Sequence, residues 1–443
     1  MSICFLFRQT DNSALIVFRI FFGILITLEA WGAIFTGWIK RTLIEPQFTF
    51  NFIGLDFLQP LPGNGMYFYF FLMGCLGVLV TIGYKYRWSM AGFTTMWAAV
   101  YFMQKTSYNN HYYLLLLICV FMLIAPANRY ASIDTRLNPK LKKANMPVWI
   151  KYFIILQLFI VYTYAAIAKL YPDWLDGTMP TLLMQSKANL PIIGQWLQAV
   201  WVPKVVAYYG IFFDLLVVPL LLFKPTRKFT FFAAVFFHLF NSLVFHIGIF
   251  PYLSLAFCLF FFPVKTIHKT FLKKKTFYKE NQLEIPKNAK FIAVFFSVWM
   301  LIQVALPLRH WFINDDVLWT EEGHRLSWRM MLRSKSGTST FIVKDKKTGK
   351  QEAIKKADYL SEKQQRRIAT KPDMIWQFAQ HLKKEYAKKG KAIEVYVHAN
   401  VSVNGRPYTN FIDSKVDLAA EPWPYFGHAE WILPSALDKN KSD

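Results

Sequence analysis

Over roughly its first 300 positions the chain does not alternate hydrophobic and polar residues; it carries long apolar blocks separated by short basic loops. Nine blocks stand out, at about 13–38, 66–84, 88–104, 111–127, 149–170, 205–223, 228–246, 249–264 and 291–308. A helix crossing a hydrocarbon core takes ~20 apolar residues, so the pattern predicts an α-helical polytopic membrane bundle of about nine spans, one of which could be re-entrant. From 309 onward the runs shorten and the period changes. Thr338–Lys344 and Ile393–Val403 alternate as strands do, and Asn404-Gly405 before Pro407–Ile412 signals a type I′ hairpin. Between them Ile375, Phe378, Leu382 and Tyr386 recur at helical spacing, which predicts an amphipathic helix over 372–389. The division expected is a transmembrane helical domain over 1–308 and a small α+β extracytoplasmic domain over 309–443, with a tail that frays after Ser435. About 135 residues suffice for a core of the second domain's own.

The loops set the orientation. Tyr84–Arg87, Arg129–Lys151, Lys224–Lys228 and Lys265–Lys290 are basic, and with nine spans and a cytoplasmic N-terminus all four fall on the inner side. The loop Lys105–His111, Lys169, the connector Phe245–Pro251 and everything after Leu308 then share the outer face. Composition agrees with a bilayer: 54% of residues are hydrophobic and 18% aromatic. The net charge of +24 sits largely in the short loops, where it reads as a topology signal and a contact with anionic lipid. No nucleic-acid-binding motif accompanies it. Of the four cysteines, Cys75, Cys119 and Cys258 lie in apolar blocks and Cys4 near the start, which leaves the second domain without a disulfide and the chain without zinc-site spacing. Met1–Asn12 lacks a cleavable-signal pattern, so the first block is expected to stay as a signal anchor.

Several polar groups interrupt this apolar background, and each admits two readings. Lys105-Thr-Ser-Tyr-Asn-Asn-His111 is either an outer loop with His111 capping the next helix, or a set of amides and an imidazole that orients a ligand between hydrophobic flanks. Lys169, near Tyr164, Tyr171 and Trp174, is a snorkelling anchor or a desolvated amine able to take a proton or form a Schiff base. His238, Asn241 and Ser242 share a helical face, as packing glue or as part of a site. His238 and His246 lack a third ligand at useful spacing, so no metal is expected. Arg19 and Asp214 are intramembrane charges, functional or structurally paired. After the last block, Ser327-Trp328-Arg-Met330-Met331-Leu-Arg333-Ser334 is core material, or a place where Arg329 and Arg333 hold a carboxylate.

Taken together these stretches resemble the vitamin K-dependent γ-glutamyl carboxylases. The likeness runs in order through Phe18-Arg-Ile-Phe-Phe-Gly, Lys105–His111, Ala168-Lys169-Leu, Phe237-His238 with Asn241-Ser242 and Ile247-Gly248. It continues through Leu306-Pro307 with His310, Ser327-Trp328 with Met330-Met331, and the hairpin at Asn404. The resemblance implies an enzyme that oxygenates reduced vitamin K (phylloquinol or menaquinol) with O2 to the 2,3-epoxide. The base formed on the way lets CO2 add to a glutamyl residue. It implies catalytic roles for Lys169 and His111 and quinone contacts from Asn109, Asn110, His238, Asn241, Met330 and Met331. It also implies a glutamyl site at Trp328, Arg329, Arg333 and His310. Implied partners are a glutamyl-containing protein or peptide, membrane lipid, and a quinone reductase that regenerates the quinol.

The departures from the family pattern shape the expectation. Arg329 and Arg333 stand where the family commonly has Asp and His, and His246 stands where a small polar residue is expected. The chain stops soon after the region around Ile412, without the long extension and lumenal disulfide of the vertebrate enzymes. This suggests a short bacterial homologue with a periplasmic outer face, in which propeptide recognition by that extension is not implied. Two alternatives stay open: epoxidation without glutamyl carboxylation, and a non-catalytic quinone- or lipid-binding membrane protein.

Overall fold

A computed structural model describes residues 3–435 and Leu437, so the tail expected to fray after Ser435 lies, Leu437 apart, outside the described residues. Each apolar block forms a helix: Ser13–Phe35, Gly65–Ile82, Tyr86–Met103, Asn110–Ile124, Trp149–Ile167, Val202–Leu222, Arg227–Phe245 and Ala289–Leu308, with a broken element in the eighth block. Not all of them suit a full crossing. Among the described residues six helices are long and apolar enough, or seven if the broken element counts as one span, against the nine expected. The physical reasons are local. Asn110–Ile124 has only 15 residues, and Arg87, Ser89, Thr94 and Thr95 dilute Tyr86–Met103. The eighth block bends by 116° between Phe250–Phe260 and Val264–Phe271. Pro263 lies at that bend, where its ring and missing N–H prevent the helix from continuing.

Close approach of backbones assembles the bundle. A Cβ on Gly77 would lie 2.5 Å from Thr27 Oγ1 and one on Gly23 2.3 Å from Thr81 Oγ1, so Ser13–Phe35 and Gly65–Ile82 meet through small residues. Arg19 is wholly buried and donates to the carbonyls of Ala127 (2.9 Å), Tyr130 (3.2 Å) and Ala131 (2.6 Å), which makes it a structural tie. Outward, Phe229, Phe232, Phe236 and Leu243 on one helix and Phe291, Val294, Val298 and Leu301 on another are exposed. Such contiguous apolar faces suit acyl chains, not water. At one end strand β1 (Gln9–Asp11) pairs antiparallel with β2 (Asn145–Pro147), and the buried pair Lys275–Asp11 (2.5 Å) closes that corner.

The C-terminal region is an antiparallel four-stranded sheet in the order β4-β3-β5-β6, made of β3 (Lys335–Asp345), β4 (Gln351–Ala353), β5 (Ile393–Val403) and β6 (Thr409–Asn410). The helix Pro372–Lys388 buries Ile375, Phe378 and Leu382, and Phe378 meets Phe341 of the sheet edge-on at 4.8 Å. Asn404 (φ 53°) and Gly405 (φ 80°) both take the left-handed conformation that a type I′ turn requires. The expected strand, helix and hairpin are therefore present; the short strand β4 was not foreseen.

This domain sits on the membrane bundle through charge and amide contacts. Asp373, in the first turn of Pro372–Lys388, accepts from Lys105 and from both terminal nitrogens of Arg325 (2.7 and 3.2 Å). Gln364 donates to the carbonyl of Phe48 (2.6 Å), Gln377 to that of Asn51 (3.0 Å), and Lys363 to Ser107 Oγ (2.7 Å). Burial works against the Asp373 charge, but Arg325 and Lys105 outweigh it and hold the carboxyl well below the usual range. Asp373→Asn leaves two cations without their carboxylate, and a loss of about 3–5 kcal/mol is expected in denaturation of the detergent-solubilised protein. A carboxyl with a depressed folded pKa stabilises fully above its unfolded value of about 4 and loses that contribution as pH falls further. The wild-type melting temperature should therefore fall below about pH 4, with a shallower fall in Asp373→Asn. Equal acid sensitivity in both proteins would refute this role.

Candidate active site

The segment from Leu326 to Ser334 is the structural centre of the site. It forms no helix or strand, and Leu326 (φ 59°), Trp328 (φ 58°) and Met331 (φ 57°) take left-handed conformations that side-chain-bearing residues seldom adopt. Hydrogen bonds from three directions hold it. Tyr108 Oη accepts from the Leu326 N–H (2.6 Å) and donates to Asn110 Oδ1 (2.8 Å), while Asn110 Nδ2 donates to the Arg329 carbonyl (2.9 Å). From the lysine side, the Tyr171 hydroxyl donates to the Leu332 carbonyl. From the sheet, Asn404 Oδ1 accepts from the Ser334 N–H (2.9 Å), and Asn404 and Arg406 both bind Asp173. Trp328, 1% exposed, stacks on Tyr113 at 5.0 Å.

The asparagines and histidines divide their tasks. Asn109, not His111, caps Asn110–Ile124, accepting from the Tyr112 N–H at 2.7 Å. That frees His111 to stack on Phe250 at 4.0 Å, with His238 against the same ring at 6.1 Å. His238 Nε2 lies 3.1 Å from the Tyr162 hydroxyl. The Nδ1 atoms of both histidines are buried and have no hydrogen-bond partner among the described residues, an arrangement that invites a polar ligand atom.

His238 faces a separate small cleft with Tyr162 and Ser254, whereas a cavity of about 540 Å3 adjoins His111, with Asn109, Phe250, Met331, Lys187 and Arg367 also in its wall. Its size lies within the roughly 300–1,000 Å3 of small-molecule sites. Leu115, Ile249 and Leu253 supply an apolar wall, so the residues present fit a lipid-soluble aromatic ligand whose polar edge meets the imidazole and amide. A second cavity of about 370 Å3 shares Tyr112, His246 and Gly248 with the first and is lined by Glu29 and several aromatic rings. Glu29 accepts from the Tyr112 hydroxyl at 2.5 Å.

Lys169 lies apart from that wall. Its Nζ reaches Asp214 Oδ2 (2.5 Å) and the Ala165 carbonyl (3.0 Å) and stands 5.7 Å from the Trp174 ring centre. Lys169 and Asp214, considered separately in the sequence, are one buried pair, while Arg19 binds backbone carbonyls instead. Arg333 is likewise committed: its Nε lies 2.5 Å from Glu321 Oε1, a second nitrogen binds Oε2, and a third faces His324 Nε2 at 3.0 Å. Burial opposes the Glu321 charge, yet Arg333, Lys371 and Lys335 outweigh it and keep this carboxyl well below the usual range. Arg329 faces His310 Nε2 at 3.3 Å, and because His310 Nδ1 is placed to donate to the Pro307 carbonyl (2.7 Å), Nε2 is the acceptor. Asn241 is half-buried with no hydrogen bond from its side chain, and Met330 is half-buried away from these two cavities, among the described residues.

The sequence reading missed Glu29, Tyr108, Tyr112, Lys187 and Arg367. An acidic residue inside an apolar block was the available signal for Glu29, and Tyr108 stands in the polar loop Lys105–His111 already singled out; nothing local marks the other three. Among the described residues no three His, Cys, Asp or Glu side chains gather as metal ligands. No solved structure matches the chain. Residues 7–265 match the HTTM domain, and residues 288–438 match the lumenal domain of vitamin K-dependent gamma-carboxylase. The first match covers more than half of the chain and the second takes in the stitched segment and the sheet that holds it. A multi-pass bundle bearing a lumenal-type C-terminal domain is what the fold displays, and the chain belongs to the vitamin K-dependent gamma-carboxylase family.

Proposed function

We propose that this protein oxygenates reduced vitamin K to its 2,3-epoxide and couples that reaction to carboxylation of glutamyl side chains. The observation that carries the reading is the cavity faced by Asn109 and by His111, whose Nδ1 is buried and unsatisfied, in a chain whose two halves match this family. When bound, the quinol supplies the reaction with O2 that yields the strong base. The protein's own part is to bind, orient and move protons. His111 and Asn109 orient the polar edge of the ring system and Phe250 and Leu253 exclude water; Lys169, set apart from that wall and neutral when it acts, is the proton acceptor that the family resemblance assigns. Asp214 stabilises the ammonium that results, because a paired charge costs far less than an isolated one in a low-dielectric interior.

The outer face is the proposed location of this chemistry. Tyr86–Met103 and Asn110–Ile124 are consecutive and joined by a short loop, so counting both or neither as crossings leaves the parity unchanged. Counting the bent pair as a span gives an odd number, which separates a cytoplasmic N-terminus from an extracytoplasmic, periplasmic C-terminal domain. One observation favours a second reading, epoxidation without carboxylation: Arg333, expected to hold the glutamyl carboxylate, already holds Glu321.

The test uses protein in nanodiscs with reduced vitamin K, oxygen, ¹⁴C-bicarbonate and a short glutamyl peptide. Epoxide and labelled peptide are expected from the wild type. Lys169→Ala should lower both by about 10²–10⁴-fold, the usual worth of a positioned general base. Epoxide without label selects the second reading; no epoxide, or unchanged turnover in Lys169→Ala, overturns both.

A further inference from the structure

The cations around the site separate by whether a carboxylate already holds them. Arg325 and Lys105 share Asp373; Arg333, Lys371 and Lys335 share Glu321; Arg406 holds Asp173. These six are scaffold. Two others line the 540 Å3 cavity and have no carboxylate partner among the described residues: Arg367 and Lys187. They arrive from different parts of the chain. Arg367 is in the last turn of the helix Glu362–Ile368 of the C-terminal domain, and Lys187 follows the helix Thr178–Gln185 of the membrane domain. Lys187 stands 5.7 Å from the Phe245 ring centre, so its position is supported by an aromatic face instead of an anion. Among the described residues no acidic side chain lines this cavity, and His111 and Met331 share its wall.

We infer that Arg367 and Lys187 form the carboxylate-recognising part of the site and bind the acidic side chain of the peptide substrate beside the quinone-facing residues. This deepens the proposed carboxylase reading and rests on it. It assigns the substrate contact to two cations that no carboxylate among the described residues grips directly, in place of Arg333, which Glu321 holds. The guanidinium can grip a carboxylate with two parallel hydrogen bonds, and the ammonium adds a point charge from the membrane-domain side. An uncharged side chain of the same shape leaves both cations without an anion and is rejected.

Binding read separately from turnover tests this. Full-length protein in nanodiscs would be titrated calorimetrically with a short glutamyl peptide and with its glutaminyl counterpart, for wild type, Arg367→Gln, Lys187→Gln and Arg367→Lys. The wild type is expected to prefer the glutamyl peptide by at least about tenfold, a preference that weakens with salt. Both Gln variants should bring the ratio close to one, and Arg367→Lys should restore part of it. Because the ratio is taken within each variant, a general loss of folded protein does not mimic the result. An unaltered ratio in both Gln variants, or no preference in the wild type, overturns the assignment. A preference that depends on these residues in a protein that labels no peptide supports the assignment as acidic-peptide recognition while the carboxylase reading fails.

Discussion

The arrangement depends on one buried carboxylate gripped by two cations from different parts of the chain. Asp373 in the C-terminal domain binds Lys105 of the membrane loop and Arg325 of the connecting segment. Taking three charged groups out of water is costly, and the cost is offset only when their geometry is satisfied together. The domain therefore has little freedom to sit elsewhere on the bundle. Lys105 begins the loop that ends in Asn109, Asn110 and His111, so the same contact that docks the domain fixes where the amides and imidazole point.

Docking in turn gives the Leu326–Ser334 segment its shape. A coil with three left-handed side-chain-bearing residues costs on the order of 1–3 kcal/mol at each, and such strain persists only where the surroundings over-determine it. Here the partners are Tyr108, Asn110, Tyr171 and Asn404, which come from both domains. Asn110 illustrates the economy of the design: one amide accepts from Tyr108 and donates to the Arg329 carbonyl, so the loop and the coil hold each other. The coil then places Met331 on the cavity wall and buries Trp328 against Tyr113.

Periodicity was legible because it is local. Ile393–Val403 is a strand with the expected bounds, the helix Pro372–Lys388 departs from expectation by one residue, and Asn404-Gly405 turns as the dipeptide predicts. Apolar length was a weaker guide: the block over 249–264 bends at Pro263, and the 111–127 block yields a helix of only 15 residues. Charge pairing was not legible at all. Lys169 and Asp214 are 45 positions apart, and Glu321 collects Arg333 from the coil, Lys335 from a strand and Lys371 from the connector before a helix. A sequence shows that an arginine is present near a site; it does not show that an internal glutamate has already taken it.

That distinction bears on how a strongly basic chain, with a net charge of +24, keeps its cations from interfering with one another. In the basic loops between helices most lysines, such as Lys224, Lys228, Lys273 and Lys274, are exposed, while Lys275 is buried against Asp11. Around the site the charges lie near a low-dielectric bundle, where an unpaired cation repels its neighbours over a longer range. Asp373, Glu321, Asp173 and Asp214 each neutralise part of this surplus, and each of them is buried. Lys169 with Asp214 is the pair set within the helical bundle. Neutralising most of the cations gives the remaining ones their meaning. Arg367 and Lys187 would be indistinct in a uniformly positive surface, but beside quenched neighbours they are the positive groups left at the cavity for an anion to find.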